Sequence, residues 1–208
     1  MPAPYETNKN IEWKWRQYVV ESLNEVAAGG TQPQAFDPAN TNAGMTLSGS
    51  DYSAARNSSG APSYRIARGL NGHASGKYQA RFWVLGVINF AEFGIVAAAH
   101  ALNTYIGATA NGWGLFNDGS LANNAVFTPT SNTFAGSMML DVWVDIDAGK
   151  LWFGIDNKPF GVTGDPVSGT GALFTGVTGT LYTAVSSNVV GPTFTAQPPP
   201  LWPGYSAW

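Results

Sequence analysis

Apolar and polar positions alternate most regularly over residues 139–161, MLDVWVDIDAGKLWFGIDNKPFG, where a period of two marks a pair of strands. With Ala148 and Gly149 as the turn, Asp147 faces Lys150, Ile146 faces Leu151, Val144 faces Phe153 and Val142 faces Ile155, so one side of the hairpin is wholly apolar. The other side sets Asp145 opposite Trp152 and Trp143 over Gly154. A slip of one residue would bring Val144 beside Trp152 and Asp145 beside Leu151 and mix the two faces, so the pattern calls for an even-length loop. Asp141, Asp145 and Asp147 then form the solvated side of a half-buried antiparallel sheet.

The same reading predicts short strands in GMTLSG, SDYSAAR and SYRIARG, each bounded by Gly, Ser or Asn. In GKYQARFWVLGV, Tyr78, Ala80, Phe82 and Val84 point to a core, while Gln79, Arg81 and Trp83 point outward. Phe93, Ile95 and Val96 predict a buried strand, and TYIGAT a short one after it. NGWGLFNDGSLANNAVFTPTSNTFAGS reads as turn-rich loops around a single strand, WGLF, and loops of this kind carry function more often than strands do.

A helical period occurs only over residues 10–28, where Ile11, Trp15, Tyr18, Val19, Leu23 and Val26 share a side, with Asn8 or Asn10 as cap and Gly29-Gly30 as stop. Trp13 and Val20 project from the opposite side, to be met by a neighbouring subunit or by a loop of the same domain. The spacing fails a strict heptad. At the other end, Pro198, Pro199 and Pro200 favour an extended stretch that cannot enter a sheet interior, and Trp202, Tyr205 and Trp208 must dock on something, the domain itself before a partner. The resulting division is a helical attachment segment at 1–34, a β-sandwich at 35–197 and a Pro/aromatic tail at 198–208.

DVWVDIDAGKLWFGIDNKPFG, followed by GDPVSGTGALFTG and GTLYTAVSS, resembles the late strands of SPRY domains. Upstream, FDPANTNAGMTLSGSDYSAAR, SGKYQARFWV, FGIV, YIGA and NGWGLFNDG keep the order of such a domain over residues 35–197. Gln79-Ala80 stands where relatives often have an aromatic-Glu pair, and Thr183 where Pro is common. The resemblance implies an all-β, SPRY-like antiparallel sandwich that binds partners through loops at one end. The Gly/Asn/Thr-rich loops, the GDPVSGTGA segment and the Pro/aromatic tail further resemble SPRY-like domains of tailed-bacteriophage virion proteins.

Composition supports one all-β domain plus appendages: of 208 residues, 25 are Gly and 13 Pro, and only 11% are charged. A net charge of −3 without a Lys/Arg cluster leaves no footprint for nucleic acid. The absence of cysteine excludes disulfides and thiolate metal sites. The start, MPAPYETNKN, has neither the basic nor the apolar region of a secretory signal, and the longest apolar stretch, near 93–102, is far below the ~20 residues of a membrane span. A soluble protein made without classical export is expected, with no membrane insertion.

Candidate chemistry is sparse. His73 and His100 stand at no metal-ligand spacing and read as solvent-facing loop or strand-end residues. The GxG at Gly112 lacks the following helix of a dinucleotide site. Asp141, Asp145 and Asp147 share a strand face, on which alternate positions such as 145 and 147 lie about 6.5–7 Å apart, a separation that suits an acid and base, but an exposed hairpin offers nothing to desolvate either. Asp145 to Asp156 also fails as a calcium loop, with Gly149 in place of an oxygen ligand and Asp156 in place of the closing Glu. The expectation is therefore a non-enzymatic protein with no cofactor, metal or catalytic residue. It would be a phage virion component, of a tail fibre, tail tip or capsid surface, made in the host cytoplasm. Its partners would be other virion proteins or copies of itself, together with a host-surface glycan or protein. Asn103, Tyr105, Asn111, Asn117 and Asp118 are the expected ligand-binding residues, and Trp13, Val20 and Trp202 the expected assembly surface. The alternatives are a soluble SPRY adaptor binding a peptide and, more remotely, a carbohydrate-active enzyme using Asp145 and Asp147.

Overall fold

The computed structural model describes residues 33–57, 63–86 and 89–208, and among them there is no helix. The predicted helix of 10–28, with Trp13 and Val20, lies outside the described residues.

Two sheets form a sandwich. The first is ordered β1 (Phe36–Thr41), β4 (Arg65–Gly69), β14 (Leu181–Ser187), β6 (Ala91–Ala97), β7 (Gly112–Phe116), β8 (Ser120–Asn123) and β9 (Val126–Pro129). The second runs β12 (Lys158–Pro159), β11 (Lys150–Ile155), β10 (Met138–Asp145), β5 (Lys77–Leu85), β15 (Thr193–Gln197), β3 (Ser53–Arg56) and β2 (Met45–Ser48). To this second sheet β13 (Phe174–Thr175) adds beside β11, and β16 (Ser206–Ala207) pairs in parallel with the start of β5. The core lies between the sheets, where Phe82, Val142 and Phe153 of one meet Phe93, Leu115 and Val185 of the other, and the rings of Phe93 and Phe153 cross at 5.0 Å.

The central hairpin keeps the predicted faces but pairs two residues away from the predicted register. Asp145 opposes Lys150, Val144 opposes Leu151, Trp143 opposes Trp152 and Val142 opposes Phe153. A shift of two preserves every side chain's face, which is why the pattern could not detect it. The longer loop is held locally: Asp145 Oδ1 accepts the Ala148 N–H at 2.9 Å, and Gly149 turns at φ 63°, where glycine carries no Cβ penalty. Ile146, taken out of the ladder, still reaches the core.

The outward side of this hairpin is not solvated as expected. Asp141 and Asp145 are buried, and only Asp147 is exposed. The cover is the chain's own end. Trp143, Trp152 and Tyr205 form a second apolar layer on that side with Trp202 and Ala172 against it. Trp202 Nε1 donates to Asn157 Oδ1, Tyr205 Oη to Pro166 O and Trp208 Nε1 to Asn71 O. Gln79, on the outward side of β5, is completely buried there and accepts the Trp202 N–H on its side-chain oxygen. Gly154 is obligatory in this layer, because a Cβ would stand 2.8 Å from the Trp143 ring and 2.2 Å from Lys158 O.

Other expectations are corrected. TYIGAT forms no strand; residues 98–111 cross the outer face of the first sheet as irregular chain, packing Ile106 and Leu102 on Ile66, Val96 and Ala184. The segment read as loops around WGLF contains three strands, β7, β8 and β9. His100 is buried, and His73 stacks on Tyr78 at 3.7 Å with Trp208 at its edge, so neither faces solvent freely. Burial lowers the pKa of both imidazoles. Gln34, at the end of the expected attachment segment, is buried, donating to Asn71 O and accepting from Thr183 Oγ1. The departure at Thr183 therefore has a structural use.

Candidate functional site

At the β9 end of the first sheet, rings from separate segments converge on its outer face. Tyr64, preceding β4, meets Tyr105 at 5.9 Å and Phe116 at 5.6 Å; Phe127 of β9 meets Tyr105 at 5.4 Å and Phe116 at 5.5 Å. The geometry follows from strand parity. Trp113 and Leu115 point to the core, so Phe116 points away, and Leu121 in the core leaves Ala122 and its partner Phe127 on the outer side. Residues 98–111 cover the rest of that face and place Tyr105 beside the rings.

The rings line a groove of about 370 Å³, whose rim carries Asn89, Asn117, Asp118 and Ser120. That size is within the range of sites for small ligands. Phe90 closes one end, 57% exposed and held at φ 51°, a backbone state costly for a bulky residue. Its position is fixed on both sides: Phe90 O accepts the Asn188 N–H, and the following Ala91 N–H donates to Asn117 Oδ1. Asp118 sits in the β7–β8 turn, where its Oδ1 accepts the Ser120 N–H at 2.9 Å. Behind the rings, Glu92 is fully buried. Its Oε1 accepts the Ile106 N–H at 2.7 Å, while Oε2 has no partner among the described residues and Ser186 Oγ lies near it outside hydrogen-bond geometry. Burial drives the Glu92 carboxyl well above the ordinary glutamate value, more than the Ile106 contact offsets. The same burial, with Glu92 and Asp118 nearby, raises Tyr64.

The described domain is similar to solved structures of known fold. The SPRY domain of human HERC1 superposes with a TM-score of 0.64 at 18% identity, over 80% of this chain and 99% of that one. The TRIM65 PSpry domain does so at 0.61 and 17%, over 84% and 97%. Stonustoxin matches at 0.57 and 17%, over 79% of this chain and 27% of the toxin. The fold is SPRY-like. No protein-family model and no curated protein sequence matches the chain.

Of the residues expected to bind ligand, this SPRY-like domain brings Tyr105, Asn117 and Asp118 together at the groove, while Asn103 and Asn111 are exposed outside its lining. Asn117 has structural work as well, since its side-chain oxygen anchors Ala91. Tyr64, Phe90, Phe116 and Phe127 were missed. The available signal was Phe127, an aromatic inside a stretch otherwise rich in Asn and Thr, whereas Phe90 stands among apolar residues and offered none. Trp202, expected at an assembly surface, is half-buried against Trp143 of its own chain, at 5.3 Å between rings.

The hairpin carboxylates are engaged in holding the fold. Arg81 grips Asp141 through Nε at 2.7 Å and Nη2 at 3.0 Å, and the Asn157 N–H adds a third bond. Burial nevertheless raises the Asp141 carboxyl, outweighing Arg81. Asp145 is pushed up by burial too, but Lys77 at 2.9 Å and the Ala148 N–H hold it below the ordinary value. Asp147 accepts the Gly76 N–H. Among the described residues no three His, Cys, Asp or Glu side chains are grouped as metal ligands.

Proposed function

We propose that this chain is a non-enzymatic recognition protein whose SPRY-like domain holds a protein or glycan ligand in the aromatic groove between Tyr64, Tyr105 and Phe127. The observation that carries the reading is the groove itself: exposed and half-exposed aromatics, normally buried, line a concave site with a polar rim. Side chains rather than main chain would do the binding, because Pro129 removes a donor from the free edge of β9. The carboxylates of the central hairpin support a binding role over a hydrolytic one, since Arg81, Lys77 and backbone N–H groups already engage them.

The setting we propose is the surface of a tailed-phage particle, displayed outward toward the host, with the segment 1–34 as the attachment. Support for this comes from the sequence resemblance of the loops and the GDPVSGTGA segment alone, and detection of the chain in purified particles by mass spectrometry is its check. For the groove, the test is to screen the full chain against a glycan array and a displayed peptide library. Tyr105→Ala and Phe127→Ala should lower affinity for the selected ligand at least about tenfold with little change in melting temperature. A ligand indifferent to both substitutions, or none at all, would remove the groove from consideration. A single short peptide motif, with no glycan retained, would instead favour a soluble adaptor.

A further inference from the structure

We infer that the groove selects a cation, and specifically an arginine side chain presented by an exposed loop of a partner protein, with Asp118 as the counter-charge. The inference rests on the groove being the ligand site. Among the described residues its lining contains one exposed carboxylate, that of Asp118, and no lysine or arginine. The ion pairs of the described residues are Lys77 with Asp145 and Arg81 with Asp141, neither at the groove, so Asp118 has no cationic partner among them. Its Oδ1 takes the Ser120 N–H, which orients the carboxylate, and Oδ2 accepts no hydrogen bond from a described residue.

The rings decide what sort of group fits beside that charge. Their planes are turned 35° to 85° from one another, so they do not share the flat platform on which a sugar ring stacks. A small planar cation is better matched. A guanidinium can lie on one ring face, gain from its negative quadrupole and still reach a carboxylate with paired N–H donors. An ammonium is a more strongly hydrated point charge and forgoes the planar stack. Phe90, held exposed in a costly backbone state at the end of the groove, supplies a further apolar surface for the methylene stem of such a side chain.

The test titrates the ¹⁵N-labelled full chain with N-acetyl-arginine methylamide, with its neutral isostere N-acetyl-citrulline methylamide and with a neutral oligosaccharide, maltotriose. Amide shifts of Tyr105, Asp118 and Ser120 are followed. Arginine should shift these signals saturably and bind about tenfold more tightly than citrulline. Asp118→Asn, which keeps an oxygen for the Ser120 N–H, should reduce arginine to the citrulline level and leave citrulline unchanged. Equal binding of arginine and citrulline, or arginine binding untouched by Asp118→Asn, overturns the inference. Maltotriose perturbing the same amides without an arginine preference overturns it too but leaves the groove as a ligand site. Absence of any shift at these amides from all three probes counts against both.

Discussion

Glu92 sits where burial strongly disfavours its charge. It is wholly buried on β6, with a single N–H donor at Oε1 and none among the described residues at Oε2. Because its folded pKa is raised well above the ordinary glutamate value, both folded and unfolded chains hold the proton in acid, and no stability is then lost to ionisation. As pH rises past the ordinary glutamate value, the unfolded chain releases its proton while the folded one keeps it, so stability falls until the folded pKa is passed. Glu92→Gln retains the acceptor for Ile106 and removes the titration. Denaturant midpoints of the two proteins should coincide near about pH 4, and the wild type should drop below the variant toward about pH 8. A constant difference across that range would mean that Glu92 titrates normally. Nothing in the sequence around Glu92 announces this state: AEFGIV reads as a buried strand, but whether its polar member is covered depends on residues 98–111, which cross over it.

Among the elements, the β10–β11 hairpin shows how far pattern reaches. Its faces were legible because side-chain period is a local property of a strand. Its pairing was not, since registers two residues apart place identical sets of side chains on identical faces. The choice is made by the four-residue loop, which Asp145 Oδ1 and Gly149 stabilise, and by the fit of Trp143 beside Trp152 and Gly154. Phe153 is fully buried against Phe93 and Phe174 in the observed arrangement. Phe153→Ala should therefore cost about 3–5 kcal/mol in chemical denaturation. A near-wild-type midpoint would show that the apolar face of this hairpin is not the core. The β9 strand was illegible for a different reason: VFTP is short, fully exposed and preceded by a turn through Asn124 and Ala125, both at positive φ, so it has no buried alternation to betray it.

For the whole molecule, the residues after Gln197 complete the second sheet: Trp202 and Tyr205 layer on its outer face, β16 pairs with β5 and Trp208 packs into the main core. Tyr205 and Trp208 are each 6% exposed, Trp208 N donates to Gln79 O, and Trp202 caps the Gln79–Asn157 pair. Ending the chain after Gln197 would uncover Trp143, Trp152 and Gln79 together and lose two nearly buried aromatics. The expected loss is about 3–6 kcal/mol, read as a lower thermal midpoint with new Trp fluorescence quenching by acrylamide. An unchanged midpoint would mean that the tail adds nothing to the domain. By itself the sequence determined the positions of β5, β6, β10 and β11, the core-facing side of β5 and of the hairpin, and the need for three tail aromatics to be covered. These follow from local periodicity and from the cost of leaving large apolar groups in water. Only the tertiary structure decided that the tail covers the hairpin's outer face, turning Asp141 and Asp145 from solvated into buried groups. It alone assembled the groove as well, because Tyr64, Phe90, Tyr105, Phe116 and Phe127 come from stretches far apart in the chain. No local pattern encodes that meeting; it arises when strand order brings their outward faces to one end of one sheet.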